Sequence, residues 1–158
     1  MNVLRHAFES LGFSGVATFL GNGNVVFETD TKVVRALEKK IERALRKALG
    51  YNAPVFIRTH AELKEIAAVE PFANSEIRGA DVNIILLADN LDERSKAKLV
   101  ALRTGTDGFL VHGREIYWWR RKKPGTSLFS TVPLGNVLGV PFTIRSAGTI
   151  WKLVAKWP

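Results

Sequence analysis

A chain of 158 residues with no cysteine and a formal net charge of +8 carries no disulfide, thiolate nucleophile or cysteine-ligated zinc. The length allows one domain with a true core or two small subdomains, and 46% hydrophobic with 24% charged residues is the composition of a globular protein. The positive balance favours anionic partners, and no apolar run is long enough to span a bilayer.

The first ten residues lack the basic-then-apolar order of a signal peptide, so a cytoplasmic location is expected. Val3 to Leu11 reads as a short helix. Val3, Leu4, Ala7, Phe8 and Leu11 share one face, and Gly12 is placed to end it. Val16 to Glu28 then reads as two strands joined at Asn22-Gly23, a pair that tolerates the positive φ of a two-residue hairpin turn. That loop sets Leu20 opposite Val25, Phe19 opposite Val26 and Thr18 opposite Phe27. Both faces of the hairpin are apolar and both call for cover.

Lys32 to Leu49 is a long amphipathic helix capped by Thr29, Asp30 or Thr31 and ended by Gly50. Its predicted buried stripe is Val33, Val34, Leu37, Ile41, Ala44, Leu45, Ala48 and Leu49. The other face carries Lys32, Arg35, Lys39, Lys40, Arg43, Arg46 and Lys47 against Glu38 and Glu42. That face reads either as phosphate-facing or as a solvated surface with ion pairs such as Glu42 with Arg46. The second reading is preferred, because no aromatic or amide base-readers are interleaved. Ala53 to Arg58 reads as a strand, and Thr59-His60-Ala61-Glu62 as a capping box opening a helix to about Val69.

Glu70 to Ala80, with its Pro, Asn, Ser and Gly, reads as a linker, dividing the chain into residues 1–72 and 73–158. Val82 to Ala88 is short and apolar enough for a buried central strand. Asn90-Leu91-Asp92-Glu93 reads as a second capping box, for a helix to about Leu102. Gly108 to Val111 and Glu115 to Arg120 form a second hairpin around His112-Gly113-Arg114. A short helix at Leu134 to Leu138, an extended piece at Thr143 to Arg145 and a helix from Thr149 to Trp157 complete the chain.

This order predicts an α+β fold of two ferredoxin-like (split βαβ) halves, the first lacking its opening strand. That strand would lie centrally. Without it, backbone groups of Val25 to Glu28 and Val55 to Arg58 are left unpaired, so a start upstream of Met1, or another segment in the gap, is expected.

Three segments carry a resemblance: LGFSGVATFLGNGNVVFE, GREIYWW with a serine-containing loop after it, and LGVPFTIRSAGTIWKL. In this order they resemble the bacterial family called domain of unknown function 1697. The resemblance implies an α+β fold of two ferredoxin-like halves and brings no activity with it. Two departures stand out. The family's opening strand and Gly-rich turn, resembling RGINVGG, has no counterpart. In the family pattern T-x-R-N-x-x-T-x-x-K-L, the residues Thr143, Arg145, Thr149, Lys152 and Leu153 match, but Ser146 stands where Asn is usual.

Catalytic motifs are absent. The G-x-G at Gly21 to Gly23 precedes a strand rather than a helix, so the dinucleotide fingerprint lacks its context and no cofactor is implied. His6, His60 and His112 are not spaced as metal ligands, and there is no nucleophile elbow or acid–base pair, which argues against hydrolase chemistry. The best functional candidate is Tyr117 to Ser127. Of Trp118 and Trp119, one belongs to the core and the other is free to stack on a base. Arg120, Arg121, Lys122 and Lys123 follow, and Gly125, Thr126 and Ser127 offer amides and hydroxyls to a phosphate. Arg145 and Lys152 form a second cationic pair, which the resemblance brings towards the Ser127 loop.

The sequence thus predicts a non-catalytic module binding an anionic ligand, nucleic acid or a nucleotide. Alternatives are an enzyme acting on a small phosphorylated metabolite through Ser127, Arg145 and Lys152, and an interaction protein whose partner or second copy covers Phe19 and Val26 on the hairpin.

Overall fold

The structure, a computed structural model, describes residues 2–21, 23–72, 78–121 and 131–158, with residues 131–133 described by their backbone alone. It is a mixed α+β chain with six helices and antiparallel sheets among the described residues. Two compact units, Met1–Ile57 and Arg58–Pro158, divide it. The division falls just ahead of the helix at residues 60–68.

The first unit contains α1 (Asn2–Ser10), β1 (Ser14–Phe19), β2 (Asn24–Glu28) and α2 (Val34–Leu49). β1 and β2 form a two-stranded antiparallel sheet. Its register differs from the expected one: Phe19 pairs with Asn24, Thr18 with Val25 and Ala17 with Val26. The connection is therefore four residues, 20–23, because Leu20 leaves the ladder at φ 58° and the Asn24 side-chain amide donates to the Phe19 carbonyl at 3.2 Å. Asn22 lies outside the described residues. An irregularity between Ser14 and Ala17 coincides with Gly15 at φ +59°, the conformation of a bulge glycine.

This register turns Val16, Val25 and Phe27 to the core, with Phe8, Phe13, Leu37, Ile41 and Leu45. Phe27 packs edge-on to Phe8 at 5.1 Å and against Phe13 at 4.7 Å between ring centroids. Phe19 and Val26 lie on the opposite face and are half-buried.

α2 begins at Val34, two residues later than expected. Val33 is its N-cap without a side-chain bond, because Thr29 closes a turn of its own on the Thr31 amide at 3.2 Å. Val33 and Ala48 are exposed, not part of the stripe. Gly50, at φ 82°, ends the helix with its amide on the Arg46 carbonyl. Residues 53–58 do not form the expected strand. A ladder needs a partner, and no described segment supplies one. Ala53, Val55 and Ile57 still alternate into the core, and the Val55 amide is satisfied by Glu42 Oε1 at 3.0 Å.

The second unit contains α3 (His60–Ala68), β3 (Ala80–Leu87), α4 (Glu93–Ala101), β4 (Asp107–His112), β5 (Glu115–Arg121), α5 (Thr131–Leu138), β6 (Phe142–Ser146) and α6 (Ala147–Lys156). The capping box at α3 is present, with Thr59 and Glu62 each bonded to the other's backbone amide at 3.1 and 2.7 Å. At α4 the cap is Asp92, not Asn90, because its carboxylate accepts the Ser95 amide at 2.7 Å.

The four strands lie in the order β4-β5-β3-β6, every neighbour antiparallel. β3 is central and apolar throughout its second half, as its near-continuous run requires. One sheet face sets Ile85, Leu87, Ile116 and Trp118 against Leu99 of α4 and Leu134 and Leu138 of α5. The other face carries Ile84, Tyr117 and Trp119. The Tyr117 hydroxyl donates to the Ile66 carbonyl of α3 at 3.0 Å, and α3 packs on α6.

At the turn end of the β4–β5 hairpin, Arg58 is almost fully enclosed. Its Nε meets Glu115 Oε2 at 2.9 Å, and its Nη2 donates to the carbonyls of Leu87 and Arg114 at 2.9 and 3.1 Å. Burial lowers its pKa below the ordinary arginine value, with Glu115 opposing the shift.

Two predictions follow from this packing. Gly108 and Trp119 are directly opposed across β4 and β5, and the indole lies where a Cβ on residue 108 would go. Gly108→Ala should cost about 2 kcal/mol or more by overpacking, read as a lower urea midpoint with an unchanged slope. An unchanged midpoint contradicts this packing.

Burial, with Glu115 adding to it, pushes the Tyr117 phenol up to about 12. The folded state keeps this proton to higher pH than the unfolded chain does. The Tyr117 contribution is therefore intact below about pH 10 and is lost as pH rises towards 12. Urea unfolding from pH 8 to 11.5 should show this alkaline fall, and Tyr117→Phe should flatten it. An equally steep fall in the phenylalanine variant would exclude the assignment.

Candidate functional site

β5 supplies most of the residues singled out by the sequence, and its place inside the sheet decides what they do. Side chains alternate, so Trp118 and Arg120 go to one face and Trp119 and Arg121 to the other. Both faces are covered. Trp118 and Trp119 are accordingly 5% and 2% exposed, and neither indole is the free stacking platform expected of one of them. An interior strand between two covered faces leaves no open side for a ring.

Trp118 Nε1 donates to Asp107 Oδ1 at 2.8 Å, and its ring stacks on Phe109. Asp107, 1% exposed, also accepts the Thr106 hydroxyl at 2.9 Å and sits 3.6 Å from Arg120 Nε. Arg120 lies over the Trp118 ring at 5.4 Å. It is therefore tied to an internal carboxylate. Sequence reasoning missed Asp107; the only signal was its place beside Gly108 at a strand start.

Arg121 behaves differently. Its guanidinium lies 4.6 Å from the Trp119 ring and donates to the carbonyls of Gly105 and Arg78, at 3.3 and 3.5 Å. The Trp119 indole nitrogen is buried without a hydrogen-bond partner among the described residues. Lys122, Lys123, Thr126 and Ser127 lie outside the described residues.

Arg145 stands on β6 opposite Ile84, on the same sheet face as Arg121, which stands opposite Ala80. Its Nη1 donates to Thr143 Oγ1 at 2.8 Å and to the Ile144 carbonyl at 2.9 Å. Burial lowers its pKa from the ordinary arginine value. Lys152 is exposed on α6, beside Trp151, which is 58% exposed and was not singled out from sequence. The three histidines are exposed and separate, and among the described residues no group of His, Asp or Glu is arranged to hold a metal ion. No helix among them is long and apolar enough to cross a membrane.

Ser146 gives the clearest meaning to a departure seen in sequence. It is the N-cap of α6, its hydroxyl accepting the Thr149 amide at 3.1 Å and touching Thr149 Oγ1 at 2.9 Å. Ser and Asn cap about equally well, so the serine here keeps the cap that an asparagine would make. Ser146→Ala should cost about 1 kcal/mol, while Ser146→Asn should stay within a few tenths in thermal or urea unfolding. Equal losses in both would show that the cap is not what this position supplies.

Comparison with curated proteins and with solved structures finds no match. A family model described as "Protein of unknown function (DUF1697)" matches residues 1–117. The match takes in the first unit, α3, β3, α4, β4 and β5 up to Tyr117, and stops before the cationic run and the Thr143–Leu153 motif. With about three-quarters of its length matched, the chain belongs to the DUF1697 family of proteins of unknown function.

Proposed function

We propose that this protein is a non-catalytic, cytoplasmic module that binds an anionic ligand, nucleic acid or a nucleotide, at the end of the second unit's sheet where β5 exits. Lys122, Lys123, Thr126 and Ser127 would extend that site, with Arg145 and Lys152 on its flank. The observation that carries the reading is the strand register. β5 ends at Arg121 opposite Ala80, and β6 ends at Ser146 opposite Asn83, so both run out at the end where β3 begins. Arg121 and Arg145 share a face there, about 13 Å apart along the strand direction, a span suited to more than one phosphate. Arg78 and Arg103 are exposed on the two loops entering the same sheet end. Arg120 serves this site through position alone, since its charge meets Asp107.

We read the second unit as ferredoxin-like. Support comes from its strand–helix–strand–strand–helix–strand core and from its strand order. A first half of the same kind without its opening strand is supported by the α1–β1–β2–α2 order.

The test is binding of a labelled oligonucleotide, and of a nucleotide triphosphate as competitor, between 50 and 200 mM salt. Affinity should fall steeply with salt, by a log–log slope of about 0.7 to 0.9 per phosphate contacted. Arg121→Gln with Lys122→Gln and Lys123→Gln should lower affinity at least tenfold, with the fold checked by circular dichroism. Binding that ignores both salt and these substitutions, or no binding at all, removes the reading.

A further inference from the structure

Helix α2 of the first unit presents a second cationic surface, independent of the sheet-end site. Arg35, Lys39, Lys40, Arg43, Arg46 and Lys47 are all exposed. At 3.6 residues per turn they cover an arc of about 140°, centred opposite Leu37, Ile41 and Leu45, and extend about 18 Å along the axis. The helix's two acids do not sit among them. Glu38 is 4% exposed, and Glu42 accepts the Val55 amide at 3.0 Å instead of pairing with Arg46. The Glu42–Arg46 pair that the sequence suggested is therefore not formed, because Glu42 is taken by a backbone amide. Among the described residues, Lys39, Arg43, Arg46 and Lys47 have no carboxylate partner.

We infer that this helix face docks on the sugar-phosphate backbone of duplex DNA without reading its sequence. Charge complementarity selects the occupant. Duplex DNA places one negative charge about every 1.7 Å of its axis, so an 18 Å stripe of cations meets phosphates along its whole length. The breadth of the arc matters as well. A helix lying in a major groove about 12 Å wide has a phosphate strand on each flank, and Arg35 and Lys40 stand on opposite edges of the arc. The A-form groove of duplex RNA is too narrow to admit a helix in this way. No aromatic or amide side chain lies among the cations, so the contacts are to phosphates. Insertion into a lipid surface needs an apolar face, and the apolar face of α2 is already spent on Phe8, Phe13 and Val16.

The experiment is fluorescence anisotropy of the full chain with 24-base-pair DNA duplexes of two unrelated sequences, from 50 to 200 mM salt. Lys39→Gln, Arg43→Gln and Arg46→Gln are combined in one variant, with circular dichroism as the fold control, and Lys39→Arg with Lys47→Arg in another. The triple variant should bind at least tenfold more weakly to both sequences, with a log–log salt slope smaller by about 2.7. The arginine variant should bind like the parent. The variant altered at Arg121, Lys122 and Lys123 separates the two sites. Loss of duplex binding there, with none in the α2 variant, overturns this inference and leaves the sheet-end reading standing. Equal binding by parent and α2 variant, tighter binding to an RNA duplex, or binding only to phosphatidylserine vesicles each overturns it too.

Discussion

An enclosed guanidinium holds one end of the second unit's sheet together. Taking the Arg58 charge out of water costs several kcal/mol, and one carboxylate with two carbonyls offsets it only while all three stay in place. Those partners come from the end of β3 and from the β4–β5 turn, far along the chain from Arg58. The ion pair therefore fixes where α3 starts relative to the hairpin. Arg114 and Glu62, 3.4 Å apart, add a second tie between the same elements, and Glu62 is already bound into the α3 capping box. Replacing either partner of the buried pair would strand the other, so this end of the sheet tolerates little change.

The opposite end of the sheet is held by a different logic. Asp107 collects the Trp118 indole, the Thr106 hydroxyl and the Arg120 guanidinium, which pins the start of β4 to the end of β5. Arg121 is held by a ring face and by the carbonyls of Gly105 and Arg78. Two adjacent arginines on one strand thus have opposite fates. The first meets a carboxylate in the packing, and the second is fixed in direction by a ring face and two carbonyls. A guanidinium already fixed in direction loses little side-chain freedom on meeting an anion.

Much of this was legible in the sequence, wherever local chemistry decides structure. The capping box at Thr59, the glycine end of α2, the apolar run of β3 and the hairpin at Gly113 are set by residues within a few positions of each other. What the sequence hid depends on distant partners. The β1–β2 register turned on the Asn24 side chain and the left-handed Leu20. Residues 53–58 have the alternation of a strand, but a ladder also needs a neighbour, and composition does not reveal whether one exists. One of Trp118 and Trp119 looked available because strand alternation tells which face a ring takes and nothing about what covers that face. Asp107 was missed because two of its partners, Trp118 and Arg120, come from another strand of the folded sheet.

The same blindness affected the charges. A count of acids and bases treats every carboxylate as able to screen the surface, but folding sorts them. Glu38 and Asp107 are buried, Glu115 is spent on Arg58, and Glu42 on a backbone amide. Arg58 is the one cation withdrawn as completely among those with an ion-pair partner described. The net charge stays +8, so folding does not strengthen the positive field but decides which residues display it. That field is directional as well, because the acids of α2 turn inward on the same helix whose bases turn outward. An amphipathic pattern written for burial can therefore also orient charge, with no residue added for that purpose.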